Sequence, residues 1–166
     1  MMKRRIFAVL IVFLSGAVLT AAPQAQPARS MSEAARAFLA TLDASQKSKA
    51  MLPFNSEERF RWFYTPVQRK GIPLKDLAPN QRVAALALLH AGLSEKGYSK
   101  VETIRKLEEV LREMEQGRDA VRDPELYFFT FFGEPAEGGT WGWRYEGHHC
   151  SQNWTIVRGQ SIASSP

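Results

Sequence analysis

The spacing of hydrophobic residues changes along the chain, and each change marks a different kind of segment. Ile6 to Leu14 are nine apolar residues without interruption. Between Ala34 and Met114, on either side of an irregular stretch at 53–79, apolar residues recur three and four positions apart, the repeat of an amphipathic helix. Beyond Asp123-Pro124 the apolar positions crowd into aromatic runs of strand length. The order predicted is a short apolar leader, then helices, then a sheet.

Ser30 with Glu33 makes a capping-box pattern that opens the first helix, with Ala34, Phe38 and Leu42 on one face. Asp43 with Gln46 repeats the pattern and predicts a second, short helix ending before Pro53. Residues 53–79 hold Pro53, Pro66, Pro73 and Pro79 and read as irregular, with Arg59 to Tyr64 as a short strand or helical turn. A helix beginning near Asn80 carries Val83, Leu86, Ala87 and His90 on one face, with Ala84, Leu88 and Ala91 alongside, and ends at Gly92 or Gly97. Ser99 caps a long helix with Val101, Ile104, Leu107, Val110, Leu111 and Met114 at helical spacing. Glu102 with Lys106 and Glu108 with Arg112 are supporting i,i+4 pairs, and Gly117 is the expected stop. These two helices make a helix hairpin.

Three strands follow, over Leu126 to Phe132, Thr140 to Glu146 and His148 to Val157, the last as a continuation or a separate strand. The chain has 10 Phe, 4 Trp and 4 Tyr; with Phe7 and Phe13 set aside sixteen remain, and nine of them lie between residues 125 and 154. The fold class expected is α+β, helices first and an antiparallel aromatic-rich sheet after. The last residues, Arg158 to Pro166, are polar and small, so the sheet looks incomplete, with open edges.

Charge changes the reading of the N-terminus. The chain has 22 Lys+Arg against 17 Asp+Glu. Four of those bases, Lys3, Arg4, Arg5 and Arg29, precede residue 30, and no acid does, which leaves 18 bases and 17 acids in the rest. The basic balance therefore belongs to the leader, and the electrostatic case for a nucleic-acid partner falls with it. Lys3-Arg4-Arg5, the apolar run and the small residues Thr20 to Ala25 have the three-part form of a secretory signal, cleaved after Ala22 or Ala25. Nine apolar residues are about half of what spans a bilayer, so no permanent membrane span is expected after cleavage. The organisation expected is a signal peptide over residues 1–25, a linker over 26–30 and one domain over 31–166, exported to the periplasm or outside the cell. The lone Cys150 has no internal disulfide partner and reads as a small apolar strand residue. Arg69-Lys70 and Arg105-Lys106 read as solvated pairs.

The polar run Arg144-Tyr-Glu-Gly-His-His-Cys-Ser-Gln-Asn153 is where chemistry concentrates. In extended backbone Arg144, Glu146, His148 and Cys150 share one face, and Trp143, Tyr145, His149, Ser151 and Asn153 the other. Glu146 and His148 then stand about 7 Å apart, within reach of one metal ion or one substrate proton. A catalytic zinc needs three protein ligands, so a third must come from elsewhere, with His90 the available histidine. In metal-assisted hydrolysis Glu146 serves as base or ligand, His148 as ligand and Arg144 as anion clamp. Ser151 with His149 is an alternative nucleophile–base pair, without a Gly-x-Ser-x-Gly elbow. A structural alternative is a cross-strand hydrogen-bond network of Arg144, Glu146 and His148. Trp141, Trp143 and Tyr145 form a period-two aromatic stripe, either core or a stacking surface for an envelope glycan in a non-catalytic module.

Residues 33–157 resemble the bacterial family known as domain of unknown function 3500, whose members are typically exported. The pieces that carry the resemblance include Phe60-Arg-Trp-Phe-Tyr-Thr-Pro66, Arg69-Lys-Gly-Ile-Pro-Leu74, Gly92-Leu-Ser-Glu-Lys-Gly-Tyr98, Asp123-Pro-Glu-Leu-Tyr-Phe128 and Trp141-Gly-Trp-Arg-Tyr-Glu-Gly-His-His149 with Ser151 and Asn153. The resemblance supplies no activity, substrate or cofactor. It implies that Arg144, Glu146, His148, His149, Ser151 and Asn153 act together, since they form the family's most recognisable motif. Cys150 and Gln152 depart from it, standing where members usually carry Leu. The family's domain also runs further, to a later Asn-His-x-His strand, which implies that this chain is its N-terminal part and leaves a non-functional fragment as a further alternative.

Overall fold

A computed structural model describes residues 25–116 and 121–165. The expected apolar leader and the helix stop at Gly117 lie outside the described residues. Among the described residues four helices, α1 (Ala25–Thr41), α2 (Ala44–Ala50), α3 (Pro79–Gly92) and α4 (Glu95–Met114), pack against a mixed, open sheet. The sheet is built from β1 (Met51–Leu52), β2 (Ile72–Pro73), β3 (Phe128–Phe132), β4 (Trp141–Gly147), β5 (Cys150–Val157) and β6 (Ser161–Ser165). Its order is β1-β3-β4-β5-β6, with β2 also pairing β3. Only β1 runs parallel to its neighbour. The class is α+β with the helices first. No helix among the described residues is long and apolar enough to cross a membrane.

Three helix boundaries or faces differ from the expected ones. Residues 26–30 are the opening turns of α1 rather than a linker, because Ala28 and Met31 extend the buried face of Ala35, Phe38, Leu39 and Leu42 backwards. Helix α3 buries Gln81, Ala85, Leu88 and Leu89, and leaves Val83, Ala87 and His90 exposed. The run Val83–Leu89 is apolar all round, so periodicity gives it no phase; Gln81 sets it. Its amide pairs reciprocally with Gln46 (2.9 and 2.8 Å) and donates to the Thr41 carbonyl (2.7 Å), so a polar residue can lead the buried face. The N-cap of helix α4 lies five residues before the expected Ser99: Ser94 accepts from the Gly97 N–H (3.2 Å).

The capping box at Asp43 and Gln46 forms as expected. The core lies between the helices and one face of the sheet, formed by Phe129, Phe131, Trp141, Trp143, Tyr145, Trp154 and Ile156. Phe38 of α1 meets Phe129 edge-on at 5.4 Å, and Trp143 stacks on Trp154 at 3.8 Å. That indole pair lies directly under Gly92, where a Cβ would stand 2.9 Å from both rings. The polar tail is not a loose end. Residues 161–165 pair antiparallel with β5, with Ile162 opposite Ile156. The sheet is larger than expected and, among the described residues, is not closed.

Candidate functional site

Strand β4 does not continue into the two histidines. Gly147 pairs with Cys150, so His148 and His149 form a two-residue hairpin turn, with His149 at φ 54°. The turn reverses the phase expected for an extended strand. Partners in an antiparallel register share a face, so Ser151 opposite Glu146 and Asn153 opposite Arg144 join the Arg144/Glu146 face. Cys150 goes instead to the aromatic face, where it is buried and its thiol is pushed up to about 12 by burial. The two imidazoles, expected on opposite faces, have ring centroids 4.3 Å apart. Gly147 itself is required by close approach, since a Cβ there would fall 2.4 Å from the Tyr127 ring.

Behind the turn lies a buried charge cluster. Arg144 is fully buried and bonds Glu146 Oε1 (2.6 Å) and Glu58 Oε1 (2.8 Å) through Nη2. Its Nη1 donates to the carbonyls of Glu58 (2.9 Å) and Arg61 (2.6 Å). Arg69, read from sequence as solvated, is also buried. Its Nε faces Glu146 Oε2 at 3.5 Å, and its guanidinium donates to the carbonyls of Phe63 (2.6 Å), Thr65 (2.7 Å), Val67 (2.9 Å) and Gly147 (3.1 Å). Burial raises the Glu146 carboxyl above the usual range, with Arg144 and then Arg69 opposing the rise and Glu58 adding to it. Arg144 and Glu146 thus belong to a framework that fastens the irregular segment 58–69 across the sheet.

That segment carries the exposed aromatics. Phe60 is 74% exposed, Trp62 58%, Phe63 46% and Tyr64 60%. The His149 N–H donates to the Tyr64 carbonyl (2.9 Å), and the two rings lie 6.0 Å apart. Together they border an open cleft of about 550 Å³, lined by Trp62, Phe63, Tyr64, His149, Cys150, Ser151 and Gln152. Asn153 Nδ2 donates to Ser151 Oγ (3.1 Å) beside it. Of residues 59–64, expected as a strand or turn, Trp62, Phe63 and Tyr64 form one wall of this cleft; the signal for it in the sequence is an aromatic run with no periodicity, which offers no single face to bury. In contrast Trp141, Trp143 and Tyr145, read from the sequence as either core or a stacking surface, are core residues.

His148 turns the other way. It bonds the buried carboxylate of Glu108 on α4 through Nδ1, with Arg122 Nη1 3.1 Å from the same nitrogen. Arg122 also holds Glu115 in a two-pronged pair (3.0 and 2.9 Å). Glu146 and His148 therefore have separate partners and do not form a shared metal site; among the described residues no group of three or more His, Cys, Asp and Glu converges on a metal position. His90, expected on an apolar face, is exposed and pairs with Glu95 (3.1 Å). No hydrogen bond joins Ser151 to His149 among the described residues, so the nucleophile–base pair is not assembled. Of the six polar residues expected to act together, His149, Ser151 and Asn153 stand at or beside the cleft, Arg144 and Glu146 support it, and His148 anchors the turn to α4.

No curated protein and no solved structure matches the chain. The family described as "Protein of unknown function (DUF3500)" matches residues 24–166, a span that includes every element above. The chain belongs to the DUF3500 family.

Proposed function

We propose that the chain is an exported, non-catalytic binding protein whose cleft takes a ring-containing, hydroxyl-rich ligand, the chemistry of an envelope glycan. The observation that carries this reading is the exposure of Trp62, Phe63 and Tyr64 on a backbone held by buried guanidinium groups, opposite His149, Ser151 and Gln152. Exposed aromatic faces stack on the apolar side of sugar rings, while imidazole, hydroxyl and amide groups bond ring hydroxyls. A platform fixed before binding loses little conformational entropy on ligation. Glu146, held between two guanidinium groups, is poorly placed to bind a cation or take a substrate proton, so binding fits the geometry better than metal-assisted hydrolysis.

The test is tryptophan fluorescence titrated with soluble envelope glycan fragments. Of the four tryptophans Trp62 alone is exposed, so the change should report the cleft directly. Saturable quenching that disappears in Trp62→Ala is expected. A flat titration up to about 10 mM, weaker than ordinary specific affinity, or a response unchanged in Trp62→Ala, defeats the reading.

A further inference from the structure

Helix α4 has two apolar stripes, and the fold uses one. Val101 and Glu108 are buried against the body of the protein, with Ile104 and Leu111 half-buried alongside. At 100° per residue, Thr103, Leu107, Val110 and Met114 form a second stripe, centred about 130° from Glu108. Leu107 is 49% exposed, Val110 48% and Met114 74%. Such a stripe, repeating at three and four residues over three turns, is the pattern of a helix–helix seam. Two of the charges beside it are also uncommitted. Glu102 pairs with Arg105 (2.8 Å) rather than Lys106, and neither Lys106 nor Glu113 has an ion-pair partner among the described residues.

We infer that this stripe is a self-association surface, on which α4 packs antiparallel against α4 of a second copy. The choice of occupant follows from the register. Setting Leu107 against Val110 of the other copy places Thr103 against Met114 by the same two-fold relation. Lys106 then falls beside Glu113 of the second copy, and the symmetry repeats that pair on the other side of the axis. The border of the stripe is therefore complementary to its own copy in charge. A like-charged border would have repelled its own copy. A single helix pair buries less than the roughly 800 Å² per partner of a standard interface. The association is correspondingly weak, with half-dimerisation at about 10–1,000 µM.

Sedimentation velocity on the full exported chain, from about 10 µM to about 1 mM, reads the proposal. The expected result is a dimer fraction that rises with concentration and falls with added salt. Val110→Glu should leave monomer throughout that range; Val110 is half-exposed, and an unchanged circular dichroism melt would confirm that the variant folds. Lys106→Glu and Glu113→Lys should each weaken association at least several-fold, and the double variant should restore it. A wild-type chain still monomeric at about 1 mM overturns the inference, as does association that survives Val110→Glu or is not recovered by the charge exchange. Either result would give the stripe to a different occupant.

Discussion

Replacing Arg144 with Met separates a buried framework from a decorative ion pair. Methionine keeps much of the aliphatic volume and removes four short charge-assisted contacts, to Glu146, Glu58 and the carbonyls of Glu58 and Arg61. Glu146 is left in the interior with Arg69 at 3.5 Å as its remaining counter-charge. An exposed pair would cost about 0–1 kcal/mol to break. A buried pair broken by removing one partner costs about 3–5 kcal/mol, because the other charge stays in low dielectric. For a domain of this size that corresponds to a fall in Tm of roughly 10–20 °C.

The pH dependence has a definite sign. Burial raises the Glu146 carboxyl, so the folded state binds that proton more tightly than the unfolded chain. The penalty is absent below the unfolded value and grows as pH rises through the folded one. Loss of Arg144 removes the leading opposing charge and raises the carboxyl further. The deficit of Arg144→Met should therefore narrow as pH falls from about 8 to about 5, toward the ordinary carboxylate value. Arg144→Met combined with Glu146→Gln should recover much of the loss by removing the stranded charge. Urea unfolding at the two pH values measures all three quantities. A loss under about 1 kcal/mol, the worth of a surface pair, or one unchanged across that range, would refute the argument.

Two further outcomes follow from packing and burial. Gly147→Ala puts a methyl group inside the van der Waals shell of the Tyr127 ring, at 2.4 Å before relaxation. It should cost about 1–3 kcal/mol in urea unfolding, and a neutral result would mean that the ring moves freely. Cys150, buried and with its thiol pushed up to about 12, is protonated throughout the neutral range. A thiol-reactive disulfide reagent at about pH 8, near the ordinary thiol value, should label it only on unfolding; rapid labelling of the native protein would contradict its burial.

The sequence made the fold legible wherever one local signal stood without a competitor. The Asp43/Gln46 capping box and the aromatic strands are of that kind, and so is the order of helices before sheet. The differences arise where phase had to be inferred through a segment that carries none. Apolar residues surround α3 at Val83–Leu89, and its buried face was fixed by a polar side chain whose partners lie about thirty to forty positions away, Gln46 and Thr41. The tail, counted as polar, became β6 because an open edge of β5 was available to pair with it.

The largest difference concerns the candidate site and comes from two residues. Reading residues 144–153 as one strand assigns His149, Ser151 and Asn153 to the tryptophan face. Inserting a two-residue turn at His148-His149 moves Ser151 and Asn153 across the sheet, to the face that the helices leave uncovered. A strand has a period of two, so an error of one residue in phase reassigns every later side chain. The turn also ties together parts that are distant in sequence. Arg69 bonds the Gly147 carbonyl, His149 bonds the Tyr64 carbonyl, Tyr127 donates to the His148 carbonyl (2.9 Å), and Glu108 bonds the His148 ring. Loop, strand and helix therefore meet at one reverse turn. His148 and His149 stand at that junction, and the exposed aromatics of residues 60–64 lie beside it because the same arginines that neutralise Glu146 also bind the backbone of the loop. This coupling joins buried Arg144 and Glu146 to exposed His149 in one unit: the buried charges fix the loop, and the exposed groups border the cleft.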